Sequence, residues 1–498
     1  MWSDPRRAHP AGVIVTSLRY VGALLAPVTG GFFAIAAVLE DARAAFGSLL
    51  IVFGLVFAGV LAVLLAWVHW YRFTYQVAED GSLRVEHGLI VRKSTRLSPE
   101  RVQSVDTKAN LLFRVLGLVT VDIHTAGRGQ EPEVSIAAMT EEDAHQLAAA
   151  LRPASRGQAV TEAAADAAEE PPQGPRWRLT GSELALVAVT SSAGLIALAA
   201  LAPLIGALVS MLPESAFDVE IVAPSGTVIA AVAGGALVLL VAAWVVGSVA
   251  TALQFWDFLV VRSGGEVRVE WGLLQRNTRN VPLDRVQAVR YTEGLLRQAI
   301  GRVTVGVDAA GIGAGGELGP TVLHPLLTAA EARRFGEVMV QGHSTPGIRS
   351  VPRRALRRYV FRSTVLPLLP SLVVAWFVPY GWAALVIPCV AAAWGVWVYR
   401  DAGWGVSGEV LAIRWRSVAR TTALVRRSRV QSVSVSQHPL QKIAGLATLS
   451  VRVAASPANA TFTVRHVDET DALGALEWVS EGTQRRGEPD TGAPIEAV

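Results

Sequence analysis

A single cysteine in 498 residues, Cys389, excludes a disulfide framework or a Cys/His metal cluster. A hydrophobic content of 51% with a mean hydropathy of +0.39 is high for a water-soluble chain, and the length allows about three domains. The charge is nearly balanced, 45 basic against 41 acidic residues, so its placement says more than its sum.

In chain order, the basic N-terminus MWSDPRRAHP runs into an apolar stretch from Val21 to Leu39. No small-residue cleavage site follows a short core, so this stretch reads as a retained anchor. A second apolar stretch, Ala45 to Trp67, comes after EDARA. From Phe73 to Leu97 short runs alternate apolar and polar residues around a turn at Glu79–Asp80–Gly81, the pattern of antiparallel strands. After RVQSV at Arg101, the residues Leu111, Leu112, Val115 and Leu116 share one face of a short helix. Gly117 is placed to end that helix with a left-handed cap. Val119, Val121 and Ile123 alternate again, and TEEDAHQLAAALR from Thr140 predicts a helix with a start signal. Pro153 to Arg178 is rich in Ala, Glu and Pro, and predicts a flexible linker.

The same order then returns. Apolar stretches run from Leu184 to Leu212 and from Thr227 to Leu253, and strands turn around Gly264–Gly265. RVQAV follows at Arg285, and Glu331 completes a capping box with Thr328. A third pair of stretches, Val365 to Pro379 and Gly381 to Val398, is shorter and allows either a tight hairpin or a partly re-entrant one. RVQSV returns at Arg429, and a last helix is expected from Asp468. The residues after Gly482 are expected to be disordered.

Laid over one another, the repeats read RVQSVDTKANLLFRVLGLVTV, RVQAVRYTEGLLRQAIGRVTV and RVQSVSVSQHPLQKIAGLATL. Gly117, Gly301 and Gly445 fall sixteen residues after their arginines without a gap, and Thr120, Thr304 and Thr448 follow. Upstream, Glu86 and Glu270 match, whereas the third copy has Arg414 there and is the most diverged. The copies are too far apart, and too unequally spaced, for a stacked solenoid. They are three copies of a domain, each following a pair of apolar stretches.

The expected division is a hairpin (1–70), a module (71–152), the linker (153–178), a second hairpin (179–254) and module (255–342). A basic segment with the third hairpin (343–400), a third module (401–482) and a tail (483–498) complete it. The loops inside the apolar pairs are acidic or uncharged, while Arg6, Arg7, Arg19, Arg72, Arg92, Lys93 and RSVPRRALRR lie on the other side. The positive-inside bias therefore predicts six crossings with the N-terminus and all three modules in the cytoplasm. Trp67, Trp70, Tyr71, Trp256, Trp397 and Tyr399 cluster at the cytoplasmic ends, where amphipathic rings settle among headgroups.

The package of hairpin, β-rich module, PLDRVQAV, LL…G and VTV resembles the bacterial pleckstrin-homology (PH)-like domain membrane proteins, in their YdbT-like form with three modules and six spans. Arg285 carries the best match. Arg101 in RLSPERVQSV is close, and Arg429 in LVRRSRVQSV is looser, having lost the Pro and the acidic residue. The resemblance implies an α+β membrane protein, with six transmembrane helices in three hairpins. After each hairpin it implies a PH-like antiparallel β-sandwich or split barrel closed by a C-terminal helix. It implies no catalytic role, and points to envelope stress or antimicrobial tolerance as the leading pathway.

Few groups in the repeats suit catalysis. The histidines are scattered, the Gly-rich runs at Gly127 and Ala310 lack phosphate-loop spacing, and Glu141, Glu142 and Asp143 suit a helix N-terminus. No catalytic residue, metal site or cofactor is expected. A transporter would need polar groups at mid-membrane, and the span centres hold no charge; a six-span export component remains the alternative. Arg101 and Gln103, Arg285 and Gln287, and Arg429 and Gln431 stand two apart, and would share one face if extended. That face could hold a carboxylate or phosphate, or the motif recurs simply as scaffold. Arg353, Arg354, Arg357 and Arg358 are candidate contacts to anionic lipid. The expectation is a non-enzymatic inner-membrane scaffold binding proteins or lipids. Anionic lipids, other membrane or cytoplasmic proteins, a smaller PH-like membrane protein of the same family and a second copy are the partner classes; nucleic acid is not.

Overall fold

The computed structural model describes residues 4–14, 17, 20–21, 43–78, 80–88, 93–125, 132–151, 174–191, 226–310, 321–340, 342–455 and 460–487. Most of the first apolar stretch and of Leu184–Leu212, the linker up to 173, and 488–498 lie outside them. The protein is mixed α+β and divides into two compact units, Met1–Gln173 with Leu274–Asn280, and Gly174–Leu273 with Val281–Val498.

Unit 1 starts with the apolar helix α1 (Arg43–Arg72) and a meander of β1 (Thr74–Val77), β2 (Leu83–His87) and β3 (Lys93–Leu97). Gly81 turns β1 into β2 at φ +74°, and Asp80 holds that turn by accepting from the Ser82 amide at 3.1 Å. A 3-10 turn, Pro99–Arg101, leads to β4 (Val102–Asn110), the short helix α2 (Leu111–Val115), β5 (Leu118–Thr125), β6 (Val134–Thr140) and helix α3 (Glu141–Ala150). Thr140 caps α3 through the Asp143 amide at 3.1 Å. Inward residues of both strand sets, Leu83, Val85, Val121, Ile123 and Ile136, meet Leu147 of α3 in one core.

Unit 2 holds the second and third copies. The second comprises β7 (Arg176–Arg178), α4 (Gly181–Val189), α5 (Gly226–Gln254), β8 (Leu259–Ser263), β9 (Glu266–Trp271) and β10 (Gln275–Pro282), whose residues to Asn280 belong with unit 1. A 3-10 turn, Leu283–Arg285, precedes β11 (Val286–Glu293), α6 (Leu295–Ala299), β12 (Arg302–Ala309), β13 (Thr321–Thr328) and α7 (Ala329–Met339). The third comprises β14 (Arg349–Ser350), α8 (Leu356–Phe377), α9 (Val386–Asp401), β15 (Gly403–Ser407), β16 (Val410–Arg416) and β17 (Arg420–Arg426). After the turn Arg427–Arg429 come β18 (Val430–Ser436), α10 (Pro439–Ile443), β19 (Leu446–Val453), β20 (Ala460–Asp468) and α11 (Glu469–Gly487).

Two expected boundaries move. Arg176–Arg178, placed in the linker, is strand β7 and pairs with β8, because Arg178 also reaches Asp257 at 2.5 Å. The last helix runs through 483–487, residues assigned to the tail, as one continuous α11.

Among the described residues three helical stretches are long and apolar enough to cross a membrane: Leu237–Gln254, Arg353–Phe377 and Gly381–Asp401. The third pair is thus longer than its apolar core suggested, because basic and aromatic residues extend both helices. Gly395 lets α9 approach α8 closely: a Cβ there would stand 2.9 Å from the Val360 Cα. Pro367 and Pro370 lie inside α8.

Strand order departs from three self-contained modules. In unit 2 one sheet runs β13-β12-β11-β17-β16-β15-β14, so the motif strand of the second copy pairs with the third strand of the third. In unit 1, β4 likewise pairs with β10. Among the described residues, β1-β2-β3 in unit 1 and β18-β19-β20 in unit 2 are three-stranded sheets.

Candidate interaction surfaces

The repeated pentapeptide has one structural meaning in all three copies. Its arginine closes a 3-10 turn, and its first valine starts the strand, with Val102 and Val286 buried. The pairing register then slips between Val102 and Ser104, between Val286 and Ala288, and between Val430 and Ser432. Gln103, Gln287 and Gln431 are therefore the extra residues of three equivalent β-bulges. Gln287 is buried, and its amide donates to the Arg285 carbonyl at 2.9 Å. Arg101 is exposed, Arg285 and Arg429 are half-buried, and Gln431 is exposed. The shared Arg–Gln face required an extended segment. Since the arginine sits in a turn and the glutamine in a bulge, the second copy presents no such face.

The joints between copies are more informative. Thr107 pairs with Thr278, and Tyr291 with Thr422: in both joints the residue six after one motif arginine meets the residue seven before the next. At the second joint Val289 and Tyr291 face the second copy's core, while Ala288, fully buried, belongs to the third copy's core. Arg290 lies along that second face, bonded to Asp308 at 2.5 and 2.8 Å, with its guanidinium 4.9 Å from the Phe462 ring. Arg420 closes the joint with both oxygens of Glu293, at 3.1 Å from one of them.

The first joint buries Asp106, which pairs with Arg279 of β10 at 3.7 Å and lies 3.6 Å from His124. Desolvation pushes the Asp106 carboxyl up to about 6, against the Arg279 charge and a hydrogen bond from the Asn280 backbone. Burial pushes His124 down to about 4. Asp122 beside them is held by Lys108 at 2.7 Å and the Ser135 hydroxyl at 2.6 Å. His324 and His466 are likewise pushed down to about 4 by burial; His324 packs edge-on against Phe258 and Phe335. These histidines were expected to be either solvated or structural; side-chain packing, which has no local sequence signal, buries His124 and His324 and half-buries His466. No three His, Cys, Asp or Glu side chains among the described residues converge as a metal site.

At the third copy the series stops. β18 pairs with β19 alone among the described strands, and Ser432, Ser434 and Ser436 of its outer face are exposed. Ser432 occupies the position of buried Ala288, and Ser434 that of Arg290. In unit 1, β3 pairs with β2 alone among the described strands.

The basic cluster divides in two. Arg354 bonds the Gly445 carbonyl at 3.0 Å and Asp468 at 2.5 Å, and Arg358 bonds the Leu440 carbonyl, tying α8 to the third module. Arg353 and Arg357 are exposed.

Comparison with known proteins agrees with this architecture. The family described as Bacterial PH domain matches residues 23–155, 187–340 and 364–482. The UPF0699 transmembrane protein YdbT of Bacillus subtilis (strain 168) is 28% identical over 497 residues, 96% of this chain and 99% of that protein. No solved structure matches.

Proposed function

The chain belongs to the bacterial PH domain family, and on that premise we propose that it is a non-enzymatic scaffold of the inner membrane. Six spans in three hairpins carry three cytoplasmic modules that bind protein and lipid. The basic flanks favour this orientation. Buried ionisable groups such as Asp106, Asp308 and Arg416 are engaged in joints rather than gathered around a cavity.

The observation that carries the reading is that, among the described strands, only β19 pairs with β18. Each earlier motif strand is covered by the third strand of a following module in one register. The last motif strand offers the same edge with small hydroxyl side chains in place of core residues. An unpaired strand edge is a template for strand addition, and the fitting partner is another PH-like module, from a smaller protein of the family or a second copy. Arg353 and Arg357 add contacts to anionic headgroups, about 1 kcal/mol per charge near the surface.

The test is co-purification from native membranes in mild detergent, comparing wild type with Ser432→Lys/Ser434→Lys at equal membrane levels. Both positions are exposed, so the third module keeps its core while a docking module would meet two buried charges. A PH-like partner recovered with wild type and lost with the double variant supports the reading. Identical partners with both would place binding elsewhere.

A further inference from the structure

The short helix after each motif strand shows large apolar side chains to the outside. In α2, Val115 is 86% exposed, and Leu111, Leu112 and Leu116 are exposed with it. Leu295, Leu296 and Ile300 are exposed at α6, and Leu440 and Ile443, the latter 84%, at α10. Superposing the three capping glycines aligns Leu112 with Leu296 and Leu440, Val115 with Ile443, and Leu116 with Ile300. Apolar patches repeated in register on otherwise divergent modules mark a contact surface.

One inward residue fixes each helix, and it differs each time. Phe113 is buried against Leu118 and Ala138. Arg297 bonds the Pro325 carbonyl at 3.1 Å. Gln441 bonds Thr448 and His466, each at 3.0 Å. The anchoring chemistry has changed between copies, while the outward apolar character has stayed. A side chain serving only to fill the module would show the opposite pattern.

Each short helix also touches the segment that leads into an apolar stretch. Phe113 packs on Ala11, near which the Trp70 indole of α1 donates to the Ala8 carbonyl at 2.8 Å. Arg297 reaches the Thr190 hydroxyl at the end of α4, 3.2 Å away. Arg358, in the first turn of α8, holds the Leu440 carbonyl of α10. Each exposed face thus belongs to a helix held against the segment that leads into an apolar stretch.

We infer that the three short helices are monolayer anchors, inserting their outer apolar side chains into the headgroup–acyl boundary of the membrane that the chain's own helices cross. Acyl chains of that leaflet are the occupant, and each module is thereby held flat on the bilayer by a point other than its covalent tether. The inference is independent of the scaffold reading and needs only a membrane protein.

The test uses the full chain with Cys389→Ser and single cysteines at Val115, Ile300 or Ile443, with Ser434 as the exposed control. Each variant carries an environment-sensitive fluorophore and is reconstituted in phosphatidylcholine–phosphatidylglycerol vesicles, with and without acyl-brominated lipid. The three helix positions are expected to emit at shorter wavelength and to lose most of their fluorescence to brominated lipid, while position 434 keeps its own. Quenching at 115, 300 and 443 no greater than at 434 would overturn the inference. That includes the case in which a second copy, the protein partner present in the vesicles, covers these faces. Retained far-ultraviolet circular dichroism of each labelled protein verifies the fold.

Discussion

Gly117, Gly301 and Gly445 have φ of +64°, +63° and +59°, the left-handed conformation that ends each short helix. Valine at any of them places a branched Cβ in a region disfavoured by roughly 1–2 kcal/mol. Gly301→Val is therefore expected to lower the thermal midpoint of the detergent-solubilised protein, measured beside Gly294→Val, whose backbone is extended. Asp106 makes a pH-dependent prediction. Its folded carboxyl is raised above the unfolded value of 3.8, so its contribution favours the fold below that pH and is lost as pH rises to about 6. His124 works in the opposite sense, its depressed value favouring the fold above 6.5 and losing that as pH falls through about 4. Asp106→Asn removes the first effect alone. The difference in midpoint between variant and wild type should move in the variant's favour from pH 4 to pH 6.5, by on the order of 2 kcal/mol at most. A constant difference across that range would show that Asp106 does not titrate there.

At the level of elements, the sequence was most readable where the signal is local. The glycine caps, the Thr140 and Thr328 helix starts and the strand alternation all depend on neighbours a few residues away, and the structure has them where the pattern put them. The bulge was not readable, since Val–Gln–Ser has no composition that distinguishes an extra residue from an ordinary strand position. The cross-copy pairing was also hidden. β10 (QRNTRNVP) is polar until Val281 and β17 (RTTALVR) is buried from Thr421 to Val425, and nothing local in either says that a strand of another copy takes its edge. Only partners distant in sequence reveal the joint, such as Glu293 with Arg420. Beside that joint, Arg416 is fully buried against Asp401 and also bonds Gln298 and the Val418 carbonyl, with its guanidinium 4.3 Å from the Trp397 ring. Arg416→Ala leaves the buried Asp401 carboxylate without its closest cation, with Arg420 at 3.4 Å and Arg414 nearby as the charges that remain. A loss of about 3 kcal/mol is expected, read as a lower midpoint in thermal unfolding.

For the whole molecule, strand pairing joins successive copies, β4 with β10 in unit 1 and β11 with β17 in unit 2. Within the chain each joint covers one motif strand and leaves the next copy's motif strand for the following joint. The terminal strand β18 is seven residues long, against nine in β4 and eight in β11, and exposes Ser432 and Ser434 where the second copy has buried Ala288 and half-buried Arg290, a composition compatible with both water and a docked module. The edge of β18 is proposed to receive another PH-like module at the membrane. Site-specific photocrosslinking from position 434 in native membranes tests this, with Arg429 as a neighbouring control outside the paired register. An adduct is expected from 434 with a chain carrying a PH-like module, in a register that places position 435 against that module's third strand. Adducts with lipid alone, or the same adducts from both positions, would contradict it.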